Sequence, residues 1–124
     1  MESNYFENEP KRSTGFYLSI AALALFTLMG TGIDGDEFLQ RKLLNIPSWY
    51  FYVIFLVDAL AFLSLIAIAF FRKIAVYTFP LLIVLHFFLH QFYLSTFLYT
   101  DVTNLFLFVG VGLLMIIPKW HFFK

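Results

Sequence analysis

Cysteine is absent from this chain and charge is scarce. Without a thiol there is no disulfide, no thiolate metal site, no iron–sulfur ligation and no cysteine nucleophile. Charged residues make up 13 % of the sequence, where a soluble domain carries about 25 %. The formal net charge is zero, so no basic stripe exists to displace phosphate counterions, and nucleic acid is excluded as a partner. No nucleotide-binding, substrate-binding or catalytic signature is present, so no catalytic residue is assigned.

What remains is apolar. Hydrophobic residues account for 61 % of 124 positions, with 18 phenylalanines among them. One short domain has too little interior to hide that surface from water, so lipid is its natural solvent. A spanning helix needs about 20 mainly apolar residues to cross roughly 30 Å of hydrocarbon. Four stretches qualify, at about 16–33, 49–71, 74–97 and 104–117, the last being the shortest. Backbone groups in lipid must bond within their own segment, which makes these runs helices. They lack the polar–apolar alternation of barrel strands. The fold class expected is all-α, a polytopic four-helix transmembrane bundle over 16–118. A polar tail over 1–15 precedes it and a short tail over 119–124 follows.

Charge in the connections orients the chain. Lys11, Arg12, Arg72, Lys73, Lys119 and Lys124 fall on one side, Arg41 and Lys42 on the other. Six basic residues against two place both termini in the cytoplasm under the positive-inside rule. Trp49, Tyr50, Tyr52 and Tyr99 mark one interface and Trp120 the other, at the depth aromatic rings prefer. The first span follows Lys11-Arg12 as a secretory signal would, but its apolar run is too long and no A-x-A site follows.

The longest connection, 34–48, opens with Asp34-Gly-Asp-Glu, which reads as turn chemistry and a helix cap. Phe38, Leu39, Leu43 and Ile46 then fall near helical spacing before Pro47. Either an interfacial helix or an ordered loop over the bundle mouth fits that pattern. Its three acids fall short of a calcium loop, which needs more oxygen ligands and a terminal glutamate.

Four polar residues lie at membrane depth: Asp58 in the second span and His86, His90 and Gln91 in the third. An Asp at a helix centre costs about 2.5–3.5 kcal/mol on the insertion scale, so such groups usually face the bundle interior and find a partner. Asp58 and His86 each stand about fourteen residues from the Arg72-Lys73 turn, which at 1.5 Å per residue puts both roughly 20 Å deep. His86 and His90, at i and i+4, emerge from one face. Three roles compete for this cluster. One is an interhelical hydrogen bond that sets register. The second is a proton-relay or quinone contact. The third is a divalent metal held by Asp58, His86 and His90, although H-x-x-x-H alone lacks the glutamate of a zinc protease. No metal and no cofactor is assigned from the residues; quinone and a divalent metal stay as alternatives.

Pro80 lies one and a half turns before His86 and is tolerated in a membrane helix when neighbours satisfy the freed carbonyl. Gly30, Gly32, Gly110 and Gly112 permit close backbone approach without forming G-x-x-x-G. His121, beside Trp120, reads as interfacial.

The layout resembles the small four-helix membrane families around DoxX and MauE. The resemblance is carried by the first span, the amphipathic stretch 38–47, Asp58 early in span two and the tight Arg72-Lys73 hairpin. It implies a redox-associated or quinone-linked accessory protein of a bacterial inner membrane. With minimal loops and an aromatic-rich surface, the function expected is a non-catalytic accessory or scaffolding subunit of a larger inner-membrane complex, with other membrane subunits as partners. The alternative is a redox-linked, quinone- or proton-handling protein using the Asp/His cluster. A free-standing transporter fits less well, since no internal repeat is visible.

Overall fold

The computed structural model describes residues 13–96 and 98–124. Lys11, Arg12 and the rest of the N-terminal tail to residue 12 lie outside the described residues, as does Phe97. Among the described residues four helices are long and apolar enough to cross a membrane: α1 (Thr14–Leu39), α3 (Ser48–Ala69), α4 (Lys73–Leu94) and the stretch Tyr99–Phe122. A four-residue helix, α2 (Arg41–Leu44), joins the first two. The last span starts as α5 (Tyr99–Leu107), passes through a π-helical turn at Phe108–Gly112, continues as α6 (Leu113–Ile116) and ends in a 3-10 turn at Ile117–Phe122. The chain is an all-α, multi-pass membrane protein.

Local chemistry sets where the helices begin and stop. Ser13 caps α1 by accepting the Phe16 amide through its hydroxyl at 3.3 Å. Asn45, at φ 59°, closes α2 in the left-handed region that asparagine tolerates. Pro47 then pre-sets the extended backbone from which α3 starts. Phe71 also takes a left-handed φ of 63°, an unfavourable place for a bulky residue. Its ring holds it there, stacked on Phe16 at 5.1 Å and edge-on to Phe123 at 5.3 Å, while its carbonyl accepts the Lys124 amide at 2.9 Å.

Two expected boundaries are corrected. The segment Asp34-Gly-Asp-Glu is not a turn, because α1 runs through it without a break to Leu39. Of the expected interfacial helix only the single turn of α2 forms. The fourth span also starts five residues earlier than expected, at Tyr99. Both extensions carry acids, and both exist because those acids point into the bundle and find partners there, as shown below.

Helix α3 packs against α1 and α4, and the last span packs against α1 and α4 from the other side. The bundle is therefore a square in which α1 and α4 stand on a diagonal. Toward the termini its interior is aromatic and aliphatic: Phe16, Leu23, Leu65, Ile68, Phe79, Phe108 and Ile116. At the opposite, loop end a smaller cluster of Tyr50, Phe51 and Ile54 closes the interior. Between them lies a buried polar layer. The outside is the reverse, with Leu18, Leu25, Leu56, Leu63, Phe88 and Phe106 exposed. Apolar outside and polar inside is the arrangement lipid imposes.

Close approach of α1 to the last span depends on small residues. A side-chain carbon at Gly30 would stand 3.3 Å from the Thr100 hydroxyl, and one at Gly15 3.1 Å from the Met115 sulfur. Gly32 and Gly110 face open space instead. Beside that seam Asn104 donates to the Thr27 hydroxyl at 3.2 Å, and Thr27 donates to the Leu23 carbonyl at 2.8 Å.

Candidate metal centre at the bundle diagonal

All four spans meet at one imidazole. His86, on α4, has Nε2 2.6 Å from Asp34 Oδ2 of α1 and 3.1 Å from Asp58 Oδ1 of α3. Its Nδ1 lies 2.6 Å from Asp101 Oδ2 of the last span. Each of the four side chains is buried, Asp34 completely and Asp58, the most exposed, to all but 7 %. One turn nearer the loop end, His90 Nε2 faces both oxygens of Glu37, at 3.0 and 2.9 Å. His90 Nδ1 donates to the Thr96 carbonyl at 2.6 Å.

The helical periods explain the pairing. Asp34 and Glu37 are three residues apart on α1, and His86 and His90 are four apart on α4, so each pair shares a helix face. The two helices run parallel across the diagonal, which sets Asp34 against His86 and Glu37 against His90. Asp58 and Asp101 reach the same point from the flanking helices. Thus Asp58 meets His86, while His90 is met by Glu37. Gln91 is not part of the cluster; it is exposed on the outer face of α4, along a groove shared with Leu85, Phe88 and Phe92.

Three of the six residues were not expected here. Asp34 and Glu37 read as loop acids, and Asp101 as a residue of the outer connection. A signal did exist: 34 and 37 continue the α1 face of Leu23, Thr27 and Gly30 at spacings of three and four. Asp101 and Asn104 are likewise one turn apart, and both are buried on α5.

Proton counting shows what the cluster lacks. A carbonyl oxygen only accepts, so His90 Nδ1 carries a proton, and in a neutral imidazole Nε2 is then a bare lone pair. That lone pair faces a carboxylate. At His86 a single ring nitrogen faces two carboxylates at once. Four acids and two imidazoles leave an excess of two negative charges even with both rings protonated. Further, Asp34 Oδ1 and Asp58 Oδ2 are buried with no hydrogen-bond partner among the described residues. Unpaired buried charge costs several kcal/mol per ion even after relaxation. The cluster therefore requires added positive charge, as protons or as a metal ion.

The donor set is also one that could hold a metal, although Asp34 Oδ2 stands closer to His86 Nε2, at 2.6 Å, than two cis ligands would. The donor atoms of Asp34, Asp58 and His86 lie within 4.8 Å of one another, and those of Asp34, Glu37 and His90 do the same. Cis ligands about 2.1 Å from an octahedral ion stand about 3.0 Å apart, close to the 2.9 to 3.1 Å separations of Glu37 and Asp58 from their histidines. Each histidine also has its far nitrogen anchored, on Asp101 or on the Thr96 carbonyl. Metal-binding histidines are oriented in this way almost without exception. Mixed imidazole and carboxylate donors with no sulfur suit divalent manganese, iron or zinc.

No protein family, curated protein or solved structure matches this chain. The resemblance to DoxX and MauE thus reaches no further than a small four-helix membrane protein.

Proposed function

We propose that this protein is an integral membrane protein that binds a divalent transition metal inside its bundle, through His86, Asp34 and Asp58. The observation that carries the reading is the convergence of two carboxylates on one ring nitrogen whose opposite nitrogen is anchored on Asp101. A register-setting hydrogen bond needs one carboxylate, and this imidazole has three. A quinone fits less well, because its oxygens would have to reach histidines whose ring nitrogens already face protein oxygens on both sides. The reading keeps the intramembrane Asp/His cluster as the working part and places a metal there.

The test is elemental analysis of protein purified in mild detergent, followed by titration of stripped protein with Mn(II). Retained or rebound metal that is lost in Asp58→Asn, with helical content unchanged, supports the reading. A folded wild-type protein that takes up no Mn(II), Fe(II) or Zn(II) ends it.

Both termini in the cytoplasm, a bacterial inner membrane and a role as accessory subunit of a larger complex belong to the same proposal. The six-to-two split of basic residues supports the orientation. Because the chain has no cysteine, single cysteines report topology cleanly. An impermeant maleimide should label Leu43→Cys from outside intact cells and leave Lys124→Cys unlabelled; the reverse pattern inverts the protein. Stoichiometric partners after gentle extraction would support a subunit role, and recovery only as a monomer or homodimer would sink it.

A further inference from the structure

Asp34 belongs to both groups of donors. Its Oδ2 faces His86, and it also lies within 4.8 Å of the donor atoms of Glu37 and His90. Its second oxygen, Oδ1, is buried and has no hydrogen-bond partner among the described residues. A carboxylate that bridges two metal ions uses one oxygen for each. We infer that the centre is dinuclear: one ion held by His86, Asp58 and Asp34, the other by His90, Glu37 and Asp34, with Asp34 as the bridge. This inference rests on the metal-binding reading above and extends it to a second site.

Three further observations support two ions over one. The first is charge. Four carboxylates (Asp34, Glu37, Asp58 and Asp101) balance two divalent ions with both imidazoles neutral, whereas a single ion at His86 leaves one negative charge uncompensated even with His90 protonated against Glu37. Burial makes that difference expensive. The second is the tautomer. With Nδ1 of His90 committed to a carbonyl, its neutral ring offers Nε2 as a lone pair toward Glu37, which is the state a metal ligand needs. The third is spacing. Three residues along α1 rise about 4.5 Å and four along α4 about 6 Å, offsets from which side chains leaning together can meet the 3.5–4 Å between ions of two-metal sites. Four carboxylates and two histidines drawn from a four-helix bundle is also the donor inventory of the di-iron and di-manganese carboxylate bundles. The distribution differs here, since both histidines sit on one helix.

The buried phenol of Tyr50 is within electrostatic reach of all four acids, and its hydroxyl has no hydrogen-bond partner among the described residues. It stands two turns from Asp58 on α3, toward the loop end.

The experiment uses the full chain in detergent, stripped of metal and reloaded with Mn(II) chloride. Elemental analysis and electron paramagnetic resonance are read on the same samples. Wild-type protein should hold two Mn(II) per chain, with the isolated-ion hyperfine pattern replaced by the broadened spectrum of a coupled pair. Glu37→Gln and His90→Gln should each fall to one Mn(II) and recover the isolated-ion pattern. Asp34→Asn should abolish the coupling. The two single-site variants back each other if one fails to fold, as judged by circular dichroism and gel filtration. One Mn(II) in wild type, unchanged in Glu37→Gln and His90→Gln, overturns the dinuclear centre and leaves the mononuclear reading standing. No Mn(II), Fe(II) or Zn(II) in folded wild type overturns both.

Discussion

The two ends of this bundle are built on opposite principles. Toward the termini, Phe16, Phe71, Phe79, Phe108 and Phe123 interlock with aliphatic side chains. Toward the loops, four acids and two histidines occupy the same central position. In lipid the aromatic end gains little from burial itself, since hydrocarbon tails are as apolar as leucine, and its stability comes from packing. The polar end has a strong reason to stay inside, because an acid turned toward lipid costs kilocalories. Packing thus holds one end together, and the exclusion of charge from lipid holds the other. The two ends should fail differently.

The largest effect should come from His86→Leu. It leaves Asp34, Asp58 and Asp101 buried without their shared partner, and breaking such a cluster costs about 3–5 kcal/mol. Unfolding by heat in detergent should fall accordingly, and Mn(II) binding should vanish. A variant that keeps both wild-type stability and metal would remove the polar end from the comparison altogether. Phe79→Ala is the matched change at the aromatic end. It empties a fully buried site and should cost about 2–3 kcal/mol, at the low end for such truncations because lipid lessens the transfer contribution. Metal stoichiometry should be unchanged, as checked by elemental analysis.

Acid should separate the ends more gently. Ligands must be deprotonated to bind metal, so lowering the pH releases the ion and withdraws the stability that binding adds. Metal-loaded wild type should therefore lose melting temperature toward low pH more steeply than metal-free wild type, and metal-loaded Phe79→Ala, whose polar end is intact, should follow the wild-type slope from a lower starting value, with bound Mn(II) followed in parallel. Equal melting profiles with and without Mn(II) across the range would argue that metal and fold are uncoupled. The smallest effect belongs to Thr27→Val, which leaves Asn104 without its partner. Interhelical hydrogen bonds in membranes average about 0.6 kcal/mol, so the melting curve should move slightly and metal binding not at all.

Much of the fold is legible along the chain because its cause is local. Apolar runs of sufficient length become helices wherever water is absent, and Ser13, Asn45 and Pro47 mark ends by their own backbone preferences. Asp58 and His86 were readable as lying at one depth, since equal counts from a tight hairpin give equal depth, but whether Asp58 met His86 or His90 was left to the rotation of the helices. Gln91 was grouped with them by adjacency alone, and the helix turns it outward. Asp34, Glu37 and Asp101 were harder. Acids next to glycine, or beside a span's end, read as solvated connections, and only a partner from another helix makes it favourable to bury them.

The sequence by itself determined the solvent of this protein, the number of its spans and the matching depth of Asp58 and His86, all of which follow from hydropathy and rise per residue. Tertiary structure alone decided that α1 and α4 stand on a diagonal, and so that Asp34 and Glu37 face His86 and His90 across the centre. Helix rotation about its own axis is set by the neighbours it packs against, here through the close approach at Gly30 and Gly15. No residue's identity encodes that angle, yet it is what draws six separated side chains into one site.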